Sequence, residues 1–137
     1  MKKYLLSQDE LTQLTKEFLE EFDSGVVILQ GDLASGKTTL VKRFVSSLCE
    51  NEEVTSPTFS LQQLYGEKIF HYDIYNKGLE HFISLGMLEE LEKEGLHFIE
   101  WGDETLQKLL KEAGFDVATI KIKKISPDKR EYTVCIN

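Results

Sequence analysis

The sequence predicts a three-layer α/β domain whose mixed sheet is parallel in its centre and carries antiparallel hairpins toward an edge. Amphipathic helical segments alternate with short apolar runs, and two pairs of predicted strands are joined by short turns. Helices between buried strands are typical of parallel pairs, whereas short turns join antiparallel ones. With its length of 137 residues, the chain is predicted to form one domain, residues 1–137, around one substantial core.

Helical periodicity is clear after the first few residues. Ser7 and Glu10 occupy the positions of a capping box, and apolar residues then recur at helical spacing as far as Asp23. A second amphipathic segment begins near Lys37 and ends at Leu48. The predicted helices cover residues 7–23, 37–48, 78–95 with a break at Gly86, and 105–113.

The predicted strands are of two kinds. The continuous apolar runs Val26–Leu29 and Leu96–Ile99 are typical of strands buried on both faces. The other strands pair as hairpins, and the glycine of Gly66-Glu67 suits a tight turn. The predicted hairpins join residues 59–65 to 68–72, and residues 117–125 to 131–136.

A phosphate-binding motif follows the first buried strand. Residues 31–38 fit G-x-x-x-x-G-K-[ST], with a helix opening inside the segment. The glycines allow a close backbone approach, and the loop amides with the positive end of the helix dipole attract phosphates. Lys37 is expected to reach the β- and γ-phosphates and the Thr38 hydroxyl to ligate Mg²⁺, so we expect ATP and Mg²⁺ to bind here. The predicted nucleotide-binding residues are Gly31, Asp32, Leu33, Ala34, Ser35, Gly36, Lys37, Thr38 and Thr39.

Two carboxylates stand at predicted strand ends. Such a loop needs an acidic metal partner at the end of a neighbouring strand, and Glu100 follows the run Leu96–Ile99 directly. The alternative interpretation is a surface glutamate that begins a loop. Asp73 and the loop 55–59 resemble parts that sense the γ-phosphate or place water, although each of these residues taken alone is more often a turn or capping residue.

Overall charge and the remaining motifs exclude several classes of protein. The net charge of −8 and the pI of about 4.9 disfavour tight, direct binding of nucleic acid. The lysine- and arginine-rich run 121–130 is interpreted as the solvated face of an edge strand, or else as a docking surface for a partner or RNA. Neither a membrane span nor a signal segment is evident, and Cys49 and Cys135 have no metal-type spacing, so we expect a cytoplasmic protein with reduced thiols.

Two absences narrow the chemistry further. The segment 76–79 fails the Asn-Lys-x-Asp pattern at its fourth position, which favours ATP over GTP. The chain has two arginines, Arg43 and Arg130, whereas small-molecule kinases commonly clamp phosphates with several. Arg43 is expected to point away from the loop, and Arg130 lies outside every recognised motif.

Four motifs together resemble the bacterial TsaE family. They are the phosphate loop 31–39, Ser-Pro-Thr-Phe at 56–59, His-x-Asp-x-Tyr at 71–75 and Ile-Glu-Trp at 99–101. The resemblance implies an ATPase that assists TsaB and TsaD in making N6-threonylcarbamoyladenosine beside the anticodon of tRNA. The transfer itself would belong to TsaD, with tRNA contacted only indirectly or weakly by this chain.

The resemblance also implies roles for individual residues. Lys37 would bind phosphate, and Thr38 with Glu100 would hold Mg²⁺. Asp73 and Trp101 match positions that the family needs for activity, so the implied catalytic residues are Lys37, Asp73, Glu100 and Trp101. Thr12 would border the nucleotide, and residues 56–59 would form a switch segment. The chain departs from the family pattern at 34–35, where Ala-Ser replaces Gly-Ala, and at Asn76, which replaces an arginine.

Two other functions remain open from the sequence. One is a small-molecule P-loop kinase, against which the shortage of arginines counts. The other is a non-catalytic module whose interactions are gated by ATP. Because no arginine is evidently placed to stabilise the transition state, we expect slow hydrolysis by the chain alone and acceleration by TsaD–TsaB.

Overall fold

The computed structural model describes residues 1–32, 35–48, 62–66, 68–75, 78–84 and 86–136, with the backbone alone at 78–79. The predicted switch segment 56–59, Leu33, Ala34, Cys49 and Asn76 therefore lie outside the described residues. The strands are β1 (Lys2–Leu6), β2 (Gly25–Gln30), β3 (Gln62–Tyr65), β4 (Ile69–Asp73), β5 (Leu96–Glu100), β6 (Val117–Lys124) and β7 (Arg130–Ile136). The helices are α1 (Leu11–Glu21), α2 (Lys37–Leu48), α3 (Gly78–Ser84), α4 (Met87–Glu90) and α5 (Glu104–Glu112).

These strands form one mixed sheet in the order β1-β7-β6-β2-β5-β4-β3. Strands β6, β2, β5 and β4 are parallel neighbours, while β3, β7 and β1 join them in antiparallel pairs. The parallel centre with antiparallel edges confirms the predicted fold class. Because β2, β4 and β5 run in the same direction, their carboxyl ends meet at one edge of the sheet, beside the start of α2.

Alternating residues of β2 face two separate cores, as expected for a strand with helices on both sides. Val27 and Leu29 pack into a cluster with α1 and α2, where Phe44 contacts Phe98 with ring centroids 5.0 Å apart. Ile28 packs into a second cluster with α3 and α5. The sheet is therefore sandwiched between two helical layers, and its central strands are held rigidly from both faces.

Strand β1 is a feature that the sequence analysis missed. It pairs with β7 from Lys2 opposite Val134 to Leu6 opposite Arg130. Strand β7 is consequently interior, as is β6 between β7 and β2, which corrects the interpretation of residues 121–130 as an edge strand. The cause of this strand is non-local. The five residues Lys2–Leu6, which include two lysines, form a strand because the C-terminal strand β7 lies beside them.

The predicted first helix begins with a 3₁₀ turn at Gln8–Glu10 before α1. The Ser7 N–H donates to the Glu10 carboxylate over 2.9 Å, which is one half of the predicted capping box. The Glu10 carboxylate also accepts a hydrogen bond from Lys129 Nζ at 2.6 Å. This bond, followed by the one from Ser7, lowers the pKa of Glu10 to about 2. The ion pair ties the start of the chain to the β6–β7 turn.

The helical region after β4 is shorter than the predicted 78–95. Gly86, with φ of +74°, interrupts it as expected, but α4 ends at Glu90. The chain must turn there into β5, and Gly95 passes so close to β4 that a Cβ on it would lie 2.1 Å from the Lys68 carbonyl oxygen.

Among the described residues, no helix has the length and apolar character that crossing a bilayer requires.

Candidate nucleotide-binding site

The candidate site is a cavity of about 440 Å³ at the carboxyl edge of the central strands. It lies where β4 and β5 end and α2 begins. This is the position at which open α/β sheets bind ligands. The cavity is lined by Gln8, Ser35, Gly36, Lys37, Thr38, Thr39, Asp73, Glu100, Trp101, Arg130 and Tyr132.

The loop between β2 and α2 needs its first glycine for reasons of space. Gly31 has a φ of +154°, and a Cβ on it would lie 2.6 Å from Ser35 Oγ and 2.7 Å from the Ile122 carbonyl oxygen. Real Cβ atoms do not approach so closely, so the loop must shift if any side chain is added. Gly36, with φ of +109°, marks the start of α2.

Lys37 turns back over the loop that carries it. Its Nζ donates to the carbonyl oxygens of Gly31 at 2.8 Å and Asp32 at 2.9 Å, and the residue is only 4% exposed. Burial lowers the pKa of Lys37, although the negative charges of Glu100, Asp73 and Asp32 oppose that shift. The ammonium is therefore fixed at the cavity wall by two neutral acceptors, which a more strongly charged acceptor is able to displace.

Trp101 covers the same ammonium from the opposite side. The centre of its ring lies 3.7 Å from Lys37 Nζ, which is a cation–π contact. The indole also stacks on Tyr75, with centroids 4.4 Å apart. Trp101 has a φ of +71°, and among the described residues no other non-glycine residue has a positive φ. A large residue in this conformation is uncommon, and such strain concentrates at functional sites.

Glu100 ends β5 and is 3% exposed. Its Oε2 accepts a hydrogen bond from Thr38 Oγ1 over 2.8 Å and also contacts His71 Nε2. The Nδ1 atom of His71 is buried and has no hydrogen-bond partner among the residues that the structure describes. The carboxylate is thus held at the Thr38 hydroxyl, which excludes for Glu100 the alternative of a surface residue at the start of a loop.

Asp73 stands beside Glu100 in the neighbouring strand, directly opposite it in the parallel register. Its Oδ1 accepts a hydrogen bond from the Tyr75 N–H at 2.9 Å. Partial burial raises the pKa of Asp73; the Tyr75 N–H acts in the opposite direction, and the charge of Glu100 adds to the rise. The hydrogen bond is that of a turn residue, but the carboxylate also faces the cavity.

Three residues of the cavity wall were missed by the sequence analysis. Arg130 Nε donates to the Ser35 carbonyl oxygen over 2.6 Å, and Tyr132 and Gln8 lie on the same wall. This corrects the interpretation that neither arginine lies near the site. Arg43 points elsewhere, as expected, and donates to the Gln8 carbonyl oxygen at 3.3 Å. Arg130 reaches the loop because β7 lies between β6 and β1, an arrangement that no local motif reveals.

A family model described as "Threonylcarbamoyl adenosine biosynthesis protein TsaE" matches residues 5–132. The chain belongs to the TsaE family. The family model spans most of the described strands and helices and reaches the first three residues of β7, so the likeness extends beyond the four short motifs. The resemblance that those motifs carry is thereby confirmed.

Three relatives bear the name tRNA threonylcarbamoyladenosine biosynthesis protein TsaE. The protein of Treponema pallidum is 36% identical over 115 residues, which are 82% of each chain. That of Bacillus subtilis is 32% identical over 126 residues, covering 90% of this chain and 75% of the relative. The protein of Rickettsia conorii is 36% identical over 105 residues, which cover 72% of this chain and 59% of the relative.

The fold is similar to that of a solved structure as well. The crystal structure of YdiB from Bacillus subtilis superposes with a TM-score of 0.70 at 25% identity, covering 99% of this chain and 86% of YdiB. Coverage of nearly the whole chain means that the mixed sheet and both helical layers are shared. The similarity supports the α/β P-loop-type architecture of this TsaE family member.

The cavity unites most of the residues singled out from the TsaE motifs. Lys37, Thr38, Asp73, Glu100 and Trp101 all line it, together with Ser35, Gly36 and Thr39. Three of the predicted residues lie outside the cavity wall. Gly31 and Asp32 line a separate groove beside β6, where the side chain of Asp32 is exposed. Thr12 is exposed on α1 and does not line the cavity. Of the N-terminal residues that precede β2, Gln8 lines the cavity.

Proposed function

We propose that the protein binds ATP with Mg²⁺ in this cavity and hydrolyses it slowly in support of tRNA threonylcarbamoyladenosine synthesis. One observation carries the proposal: the Lys37 ammonium, the Thr38 hydroxyl and the Glu100 carboxylate meet at the start of α2. These are the three groups with which phosphate-binding loops hold a nucleotide and its metal. The TsaE family membership supplies the pathway.

The residues present fit such a ligand. The loop backbone passes so close to β6 and Ser35 that only glycine suits position 31. Among the described residues, no three acidic, histidine or cysteine side chains are grouped as an all-protein metal cage. Mg²⁺ is ordinarily bound by one or two carboxylates together with substrate phosphates, so the pair Thr38–Glu100 suits it.

Bound Mg²⁺-ATP supplies the phosphoryl group and the metal that neutralises its charge. Lys37 is proposed to exchange the carbonyl oxygens of Gly31 and Asp32 for phosphate oxygens, which are stronger acceptors. Glu100 and Thr38 are proposed to hold the metal, with His71 fixing the carboxylate from behind. Asp73 is proposed to orient the attacking water, and its raised pKa makes it a better proton acceptor than an exposed aspartate.

The binding proposal is tested by titrating the protein with ATP and ADP in the presence of Mg²⁺. Trp101 is the only tryptophan of the sequence and lies against Lys37, so its fluorescence reports on the site without a label. Calorimetry provides the affinity independently. We expect Lys37→Ala to abolish binding and Lys42→Ala, an exposed lysine of the same helix, to leave it unchanged. Wild-type affinity in Lys37→Ala would refute the assignment.

We further propose that TsaD and TsaB are the partners and that they accelerate hydrolysis in the cytoplasm. The experiment is steady-state phosphate release by the chain alone and with TsaD–TsaB added. Fast turnover that the partners do not change would contradict partner control. Nucleotide binding without hydrolysis in either case would favour the ATP-gated, non-catalytic module, and phosphate transfer to an added small molecule would favour the kinase.

A further inference from the structure

Arg130 is a cation of the cavity for which neither the motifs nor the family description gives a role. It begins β7 and lies against the phosphate loop, where its Nε donates to the Ser35 carbonyl oxygen over 2.6 Å. A Cβ placed on Gly36 would lie 3.4 Å from the same Nε, so the guanidinium packs directly on the loop. The loop therefore has Lys37 on one side and Arg130 on another.

Most of the hydrogen-bonding capacity of Arg130 is unused within the described chain. A guanidinium carries five N–H donors, and the bond to Ser35 uses the one on Nε. The Nη groups make no hydrogen bond or ion pair with any described residue, although Asp73 and Glu100 line the same cavity. A half-buried arginine with free donors at a cavity wall is suited to bidentate binding of phosphate.

The fold holds Arg130 in this position from both sides. The preceding residue, Lys129, forms the ion pair with Glu10 at 2.6 Å, and Arg130 itself is paired in register with Leu6 of β1 and Lys124 of β6. The backbone of Arg130 is thus held by the strands on either side of β7, and the bond to Ser35 positions its side chain. A preorganised cation loses little conformational entropy when it binds an anion.

We propose that Arg130 is a second phosphate-binding residue of the site and that it contacts the phosphates which ADP retains. Its contacts, Ser35 and Gly36, precede the helix, whereas Thr38 and Glu100 are suited to the metal and Lys37 to the terminal phosphate. The inference rests on the proposed nucleotide binding and extends it by one specific residue. It makes Arg130 a ground-state binding group that serves substrate and product alike.

The test compares the affinities of Arg130→Ala for ADP and ATP with those of the wild type, by Trp101 fluorescence and calorimetry. Loss of a charge-assisted hydrogen bond predicts affinities weaker by about 10- to 100-fold, by the same factor for both nucleotides. Lys108→Ala is the matched control, because it removes one positive charge from an exposed position of α5 that does not line the cavity. We expect that control to bind as tightly as the wild type.

A second measurement distinguishes phosphate binding by Arg130 from a purely structural role of this residue. If the guanidinium meets phosphate, raising the salt concentration weakens binding less in Arg130→Ala than in the wild type, since one screened attraction is gone. Arg130→Lys, which keeps the charge but has no rigid fork, is expected to bind with intermediate affinity. If circular dichroism shows that Arg130→Ala does not fold, the nucleotide affinities are measured with Arg130→Lys instead.

The outcomes are distinct. Wild-type affinity for ADP in the folded Arg130 variants, or a salt dependence of Arg130→Ala unchanged from the wild type, would overturn the inference. Weakened binding of ATP alone would overturn it too, because the arginine would then contact the terminal phosphate. If Lys37→Ala also retained wild-type affinity, the failure would lie with the proposed function rather than with Arg130.

Discussion

The left-handed conformation of Trp101 leads to an unusual prediction about glycine. Glycine ordinarily destabilises a protein relative to alanine, because the unfolded chain gains freedom. At φ of +71°, however, any residue with a Cβ is strained, and glycine is not. We therefore expect Trp101→Gly to be more stable than Trp101→Ala.

The magnitude follows from separating the backbone from the ring. Both variants lose the cation–π contact to Lys37, about 0.5–2 kcal/mol, and the stack on Tyr75, about 0.5–1.5 kcal/mol. These losses cancel between the two variants. Relief of the left-handed strain favours glycine by about 1–2 kcal/mol, and the unfolded-state entropy opposes it by about 0.4–1 kcal/mol. Trp101→Gly is therefore expected to be more stable than Trp101→Ala by up to about 1.6 kcal/mol.

The assay is equilibrium unfolding in urea, followed by far-ultraviolet circular dichroism because the variants contain no tryptophan. Lys108 provides the matched pair of controls, since it is an exposed residue inside α5. There Lys108→Gly is expected to be less stable than Lys108→Ala by about 1 kcal/mol. The order of the two substitutions should therefore reverse between positions 108 and 101. The same order at both would refute the strain at Trp101.

Three further predictions concern the site and the core. Glu100→Gln should keep most of the nucleotide affinity but require more Mg²⁺ for hydrolysis, because an amide is a poorer ligand; an unchanged Mg²⁺ titration would move the metal role elsewhere. Gly31→Ala should lower both ADP affinity and the unfolding free energy, since its Cβ would lie 2.7 Å from the Ile122 carbonyl oxygen; an unaffected variant would contradict the close approach. Burial lowers the pKa of His97 from 6.5, so the unfolded chain binds the proton more readily. The unfolding free energy should consequently fall as the pH drops from 6.5 toward the lowered pKa, by at most about 1.4 kcal/mol per unit. Urea titrations across this window should show the slope in wild type and His81→Gln but not in His97→Gln.

The features predicted correctly are those encoded by neighbouring residues. Val26–Leu29 became β2 because an apolar run with short flanks suits a strand covered on both faces. Lys37, Thr38 and Glu100 converge because parallel strands end at one edge of a sheet. In each case periodicity or motif spacing implied the three-dimensional position.

The features that were missed depend on residues far apart in the sequence. Strand β1 exists because β7 lies beside it, and Arg130 faces the loop because that pairing fixes the hairpin. His97 illustrates the same point in the core: its Nε2–H donates to the Lys93 carbonyl oxygen at 2.8 Å, and its Nδ1 accepts from Tyr72 O–H at 2.8 Å. No local sequence pattern identifies these two partners.

The position of Arg130 also changes the reason for expecting slow hydrolysis. The sequence argument was that no arginine lies near the loop, and the structure corrects that premise. Yet an interaction of equal strength with substrate and transition state lowers KM without raising kcat. If Arg130 contacts the phosphates that ADP retains, it contributes binding of this uniform kind. Lys37 is then the cation assigned to the terminal phosphate, so the requirement for added charge, and with it partner control, remains a prediction.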